Sequence, residues 1–158
     1  MKRLLGTVAL AGMLMVPGAA QAQLTAGPVA AFHDDFDFGI GGYLSIPVPS
    51  LDENLSIDPS FLFYFPDGPL DYWELNGDVV YHFEVAPDTP VLPYAMAGLN
   101  VAHASPDVGN ANTEMELNLG GGIQFRAQSF RPFVGAKFEI GDNDGFVVYG
   151  GLGFAVGG

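Results

Sequence analysis

From Tyr72 to Glu84 the side chains alternate almost without a break. Trp73, Leu75, Gly77, Val79, Tyr81 and Phe83 fall on one face, and Tyr72, Glu74, Asn76, Asp78, Val80, His82 and Glu84 fall on the other. Successive side chains on a strand point to opposite faces, whereas a helix would scatter both sets around its circumference. The segment therefore reads as a long strand with one apolar side and one polar side. The same pattern returns twice. Thr113, Met115, Leu117, Leu119, Ile123 and Phe125 oppose Asn112, Glu114, Glu116, Asn118, Gln124 and Arg126; Phe130, Val134, Ala136, Phe138 and Ile140 oppose Arg131, Phe133, Gly135, Lys137 and Glu139.

Weaker segments share the period. Phe36, Phe38, Ile40, Leu44 and Ile46 oppose Asp37, Tyr43 and Ser45, and Leu55, Ile57, Phe61, Phe63 and Phe65 oppose Ser56, Asp58, Ser60 and Tyr64. Residues 25–33, 91–102 and 145–156 complete a set of eight. Between them lie turn-forming clusters such as Pro66-Asp67-Gly68-Pro69 and Ser105-Pro106-Asp107-Val108-Gly109-Asn110. Pro fixes φ, Gly supplies positive φ, and Asp or Asn bonds its own backbone. An even number of strands joined by hairpin-length turns closes most naturally into an antiparallel up-and-down barrel, which removes the unpaired edges.

The ends and the charge set further bounds. Met1-Lys2-Arg3, the apolar run Leu4 to Val16 and Ala20-Gln21-Ala22 have the layout of a secretory signal peptide over residues 1–22, leaving 23–158 as the barrel. The apolar run is too short for a membrane-spanning helix. Of 18 acids and 5 bases, removal of the leader keeps every acid and leaves only Arg126, Arg131 and Lys137 as bases. Nucleic acid is excluded as a partner, because phosphate contacts need a basic footprint. Without cysteine there is no disulfide framework, thiolate nucleophile or cysteine-ligated zinc.

Alternation alone leaves open which face is outside, and three observations favour apolar outward. Aromatic residues of the apolar face gather at strand ends, where Trp73, Tyr81, Phe83, Phe125, Phe130, Phe138, Phe146 and Phe154 bracket aliphatic middles. Two aromatic girdles around a hydrocarbon band are the pattern of a membrane barrel. The polar face mixes charged and amide side chains with small residues, which suits the narrow lumen of an eight-stranded barrel. The strands are also long enough for the roughly 9–11 residues that cross a tilted bilayer.

Pro93-Tyr94-Ala95-Met96-Ala97-Gly98-Leu99, Leu117-Asn118-Leu119-Gly120-Gly121-Gly122-Ile123, Arg131-Pro132-Phe133-Val134-Gly135-Ala136-Lys137-Phe138 and Tyr149-Gly150-Gly151-Leu152-Gly153-Phe154 carry a resemblance. Over the whole mature chain the sequence resembles the small bacterial outer-membrane β-barrel proteins of the OmpA/OmpX-like, "porin family" group. The resemblance implies an all-β, eight-stranded transmembrane barrel in the outer membrane of a Gram-negative cell, with both termini periplasmic. It also implies contact with outer-membrane lipid and lipopolysaccharide, insertion by the barrel-assembly machinery, and a monomer. Members of the group finish on an aromatic residue, whereas here Phe154 is followed by Ala155-Val156-Gly157-Gly158.

All three bases fall on the expected lumen face, where a charge needs a partner. The expected lumen network is Glu74, Asp78, Glu114, Glu116 and Glu139 with Lys137, closed at the periplasmic end by Arg126 and Arg131. Lys137 is expected opposite Asn118 or Gly120, with Glu116 diagonally in reach. His33 and His103 are expected at the rim, and His82 in the lumen near Glu84. His103 and Ser105 lack an orienting acid, so no catalytic site is read. Asp34-Asp35 and Asp142-Asn143-Asp144-Gly145 lack the ligand set of a calcium loop and read as turns, and no cofactor is expected. The functional reading is a structural envelope protein with a polar, largely plugged lumen. Alternatives are a small-solute channel, or a soluble periplasmic barrel around a hydrophobic ligand, which predicts an apolar interior cavity.

Overall fold

The alternating segments become eight antiparallel strands: β1 (Thr25–His33), β2 (Asp37–Pro47), β3 (Leu55–Tyr64), β4 (Leu70–His82), β5 (Val91–Pro106), β6 (Asn112–Phe125), β7 (Arg131–Ile140) and β8 (Gly145–Ala155). The computed structural model describes residues 23–142 and 144–157; the leader read over 1–22, Asn143 and Gly158 lie outside the described residues. Each strand pairs with its sequence neighbours, and β1 pairs with β8 from Thr25↔Ala155 to His33↔Val147, so the sheet closes on itself. The expected all-β up-and-down barrel is the observed one.

Connections differ at the two ends. The end away from the termini has tight turns at 34–36, 65–69 and 107–111 and the short β7–β8 connection; the end that carries both termini has 48–54, 83–90 and 126–130. The first turn is pinned to the closing strand, since Phe146 N–H donates to Asp34 Oδ1 at 3.0 Å and Asp34 N–H to Phe146 O at 3.1 Å. Strand β5 runs four residues past the expected 91–102, because Leu70 and Asp71 of β4 pair with Pro106 and Ser105. Phe36, expected on the outer face of β2, instead belongs to the first turn. Its ring stacks on Tyr72 at 3.7 Å and covers that end of the lumen.

The faces divide as the alternation requires. Outward positions carry Phe32, Ile40, Ile57, Leu75, Val79, Leu99, Leu119, Val134 and Val148, all exposed. Inward positions carry the buried acids, amides and tyrosines together with Val29, Leu62 and Val147. Close approach between neighbouring strands needs glycine at defined points. At Gly120, opposite Lys137, a Cβ would sit 2.7 Å from Lys137 Cα and closer still to Ala136 O.

Candidate functional site in the barrel lumen

Strand β7 ends its inward face with Lys137 and Glu139, and the lumen is organised around them. Lys137 Nζ lies 2.6 Å from Glu139 Oε1 and 3.6 Å from Glu74 Oε2 on β4, across the barrel. It also donates to Asn76 Oδ1 at 2.7 Å. All four side chains are buried. Glu139 is held from its other oxygen by His33, whose Nε2 is 3.2 Å from Oε2. Asp35 N–H donates to His33 Nδ1 at 3.0 Å, so Nδ1 accepts and Nε2 is left to donate to Glu139. Tyr64 Oη donates to Glu74 Oε2 at 3.4 Å.

An amide relay joins this centre to the neighbouring strands. Asn100 Nδ2 donates to Asn118 Oδ1 at 3.2 Å, and Asn118 Nδ2 donates to both Asn76 Oδ1 and Asp78 Oδ1 at 2.8 Å. Amides suit this position because each carries donors and an acceptor, so hydrogen bonds continue across three strands without adding charge. Above it, the rings of His33, Phe36, Tyr64 and Tyr72 pack together and fill the tight-turn half of the lumen. A residual space of about 60 Å³ remains there beside Glu114 and Glu116.

The terminal half is different. A cavity of about 510 Å³ runs from that mouth down to Lys137 and Asp78. One wall is aromatic: Tyr43 and Phe133 meet edge to face at 4.8 Å, Phe133 lies 6.2 Å from Tyr149, and Tyr149 Oη is 3.0 Å from Tyr94 Oη. Ser45, Ser56, Asp58 and Ser60 of β2 and β3 line the cavity beside Tyr43. The lumen is thus filled over one half only, which corrects the expectation of a plug along most of its length.

The expected network residues separate accordingly. Lys137, Glu139, Glu74 and Asp78 come together, with Lys137 opposite Gly120. Glu116 is buried and does not ion-pair with Lys137, whose short contacts go to its own strand and across to β4. Glu114 is half-buried at the tight-turn mouth, where it accepts from Asn112 Nδ2 at 2.6 Å. Arg126 and Arg131 do not close the lumen; both are exposed at its rim. Strand β6 ends at Phe125, so Arg126 has left the sheet and donates to Pro87 O at 3.0 Å. Arg131 opens β7 at the barrel edge, where a long side chain reaches water.

His33 corrects a second expectation. It is not a rim residue but a buried partner of Glu139, and its parity with Thr25, Val29 and Ala31 along β1 was the signal that it points inward. His82 lines the large cavity and its ring lies 5.7 Å from Tyr94, while Glu84 accepts from Asn54 instead. His103 faces outward, stacked on Trp73 at 5.1 Å with Nδ1 at 2.8 Å from Thr113 Oγ1. Ligand atoms of His33, Glu74 and Glu139 lie within 4.8 Å of one another, a spacing that could hold a metal ion. The Lys137 ammonium already supplies positive charge to both carboxylates, so the cluster is complete as an ion pair. In the last turn, Asp144 Oδ1 accepts from Gly141 N–H at 3.2 Å.

Of the aromatic set, Tyr81, Phe83, Phe125, Phe130 and Phe154 lie on the outer face near the terminal end, with Tyr81 and Phe83 in contact at 5.5 Å and Phe130 and Phe154 at 6.5 Å. Trp73, Phe138 and Phe146 lie near the tight-turn end, the two phenylalanines 5.1 Å apart.

No family model and no curated protein matches the chain. Solved structures do. The N-terminal β-barrel domain of Pseudomonas aeruginosa OprF superposes with a TM-score of 0.68 at 20% identity, over 86% of this chain and 100% of that one. Neisserial surface protein A gives 0.66 at 14% identity, over 84% and 96%. Ail, the attachment invasion locus protein of Yersinia pestis, gives 0.57 at 16% identity, over 85% and 97%. Likeness at this identity carries the architecture, and the chain has the fold of the small outer-membrane β-barrel proteins.

Proposed function

We propose that this chain is an integral outer-membrane protein, exported by the leader at 1–22, with a structural role in the envelope and no enzymatic activity. The observation that carries the reading is the outer surface. Leu75, Leu99 and Phe138 are each more than half exposed, and they belong to an apolar band that continues around the barrel. Soluble monomers rarely expose a contiguous apolar patch beyond a few hundred Å². Charge is sorted the other way, with Lys137 and its acids inside. Such a surface is stable against hydrocarbon, with Trp73, Tyr81 and the outer phenylalanines at the two headgroup levels. The same surface disfavours a soluble periplasmic carrier, although that alternative rightly requires an interior cavity.

The role is structural in this reading because the tight-turn end has short connections, with little surface for a receptor, and the adjoining half of the lumen is filled. Its partners are lipid, lipopolysaccharide and the assembly machinery, and the barrel works as a monomer. Cell fractionation tests the proposal. The protein is expected in the outer membrane, resistant to extraction by salt, and to migrate faster on gels unheated than boiled. Release by osmotic shock alone would overturn it.

A further inference from the structure

The lumen holds a feature that a structural role in the envelope does not use. Asp58 on β3 projects into the wall of the 510 Å³ cavity, where Ser45 Oγ donates to its Oδ1 at 2.8 Å. No ion pair to Asp58 forms among the described residues, whereas Glu74 and Glu139 share Lys137. Asp78 adds a second carboxylate at the cavity floor. Tyr43 lines the cavity beside Asp58, on the neighbouring strand and paired with Ser60, while Tyr94, Phe133 and Tyr149 line it from β5, β7 and β8. Ring faces attract cations, and a carboxylate behind them completes the complement of an ammonium group. Val29, Leu62 and Val80 supply apolar wall for an attached hydrocarbon. A volume of this size matches the range of small-molecule sites.

We infer that the terminal half of the lumen is a binding site for a small organic cation, its ammonium group at Asp58 and its apolar part against the aromatic wall. Entry is from the end that carries both termini. Arg126 and Arg131 stand at that mouth, so a simple anion is the competing occupant, held at the rim rather than at Asp58.

The test uses three probes of one shape: 3-phenylpropylammonium, 3-phenylpropanol and 3-phenylpropanoate. Two methionines serve as reporters in the folded protein in phospholipid nanodiscs. Met96 lines the cavity, and Met115 is on the outer face, 67% exposed. With ¹³C-methyl methionine, the ammonium probe is expected to shift the Met96 signal saturably without moving Met115. It should bind about tenfold more tightly than the alcohol, and the anion most weakly. Asp58→Asn should erase the advantage of the ammonium over the alcohol while the alcohol still binds, which shows that the variant is folded. Equal or tighter binding of the anion, a preference that survives Asp58→Asn, parallel shifts at Met115, or no saturable shift at Met96 would each overturn the inference. None of these outcomes bears on membrane insertion, which fractionation tests separately.

Discussion

Lys137 and Glu139 stand two positions apart on β7, so both point into the lumen, and Nζ reaches Oε1 at 2.6 Å with both side chains buried. Glu74 approaches the same ammonium from the opposite side of the barrel, 3.6 Å away. The pair therefore ties β7 to β4 through the interior, a link that the sheet's neighbour-to-neighbour hydrogen bonds cannot make.

Removing the cation should be costly. Lys137→Met leaves Glu74 and Glu139 buried without a counter-charge, a change worth about 3–5 kcal/mol. Urea unfolding in micelles should show a lower midpoint for this variant. Because the partners act as a unit, Lys137→Met with Glu139→Gln should cost less than the sum of the single changes, with a coupling of about 1–3 kcal/mol.

Backbone approach at Gly120 sets a second expectation. An alanine there would press its Cβ against Ala136 O and Lys137 Cα, and neither is a flexible side-chain end. Gly120→Ala should destabilise the β6–β7 pair by about 1–3 kcal/mol. Gly77 has open space at the same atom. Gly77→Ala is the matched control, and its unfolding midpoint should stay within about 0.5 kcal/mol of wild type.

The outer face can be tested at one residue. Leu119 lies mid-strand and outward, 43% exposed, between Ala97 and Phe138. If it meets hydrocarbon, Leu119→Arg should cost about 2–4 kcal/mol in bilayers, falling toward zero for a site near the interface. A change within about 0.5 kcal/mol would be the behaviour of a water-facing site and would count against the membrane reading.

Conduction gives a fourth expectation. His33, Phe36, Tyr64 and Tyr72 pack ring against ring above the Lys137 centre. Planar-bilayer recordings of the wild-type protein should therefore lack large, steady openings. Sustained conductance would show that the filled half opens readily and would favour the channel alternative.

Parity along the strands was legible in the sequence, and it carried far. Period-two alternation placed Glu74, Asp78, Glu116, Lys137 and Glu139 inside, and Leu75, Leu119 and Phe138 outside. Pairing was partly legible too, since a short turn at 126–130 sets Lys137 against Gly120. What one strand pair cannot reveal is who meets whom across the lumen. Glu74 reaches Lys137 because four strands curve β4 round to face β7, a relation that depends on the stagger of the whole barrel. The expected rim position of His33 fails for a related reason, because its partner Glu139 lies more than a hundred residues away in sequence. Volume was the least legible property. The hollow terminal half is lined on β2 and β3 by the small side chains of Ser45, Ser56 and Ser60, and alternation says which way a side chain points, not whether it spans the gap.

The seam between β1 and β8 governs how this molecule comes into being. Thr25 opens the first strand, and its pairing partner Ala155 closes the last. Until β8 exists, the inner edge of β1 has no mate, and every intermediate sheet carries two unpaired edges. Joining the ends closes the longest loop the chain can form, and that entropy must be surrendered before the final ladder gives anything back. Assembly therefore proceeds to completion or leaves a curled sheet ready to pair with another chain. Loss of a few residues from either terminal strand would act less on stability than on whether the cylinder forms at all.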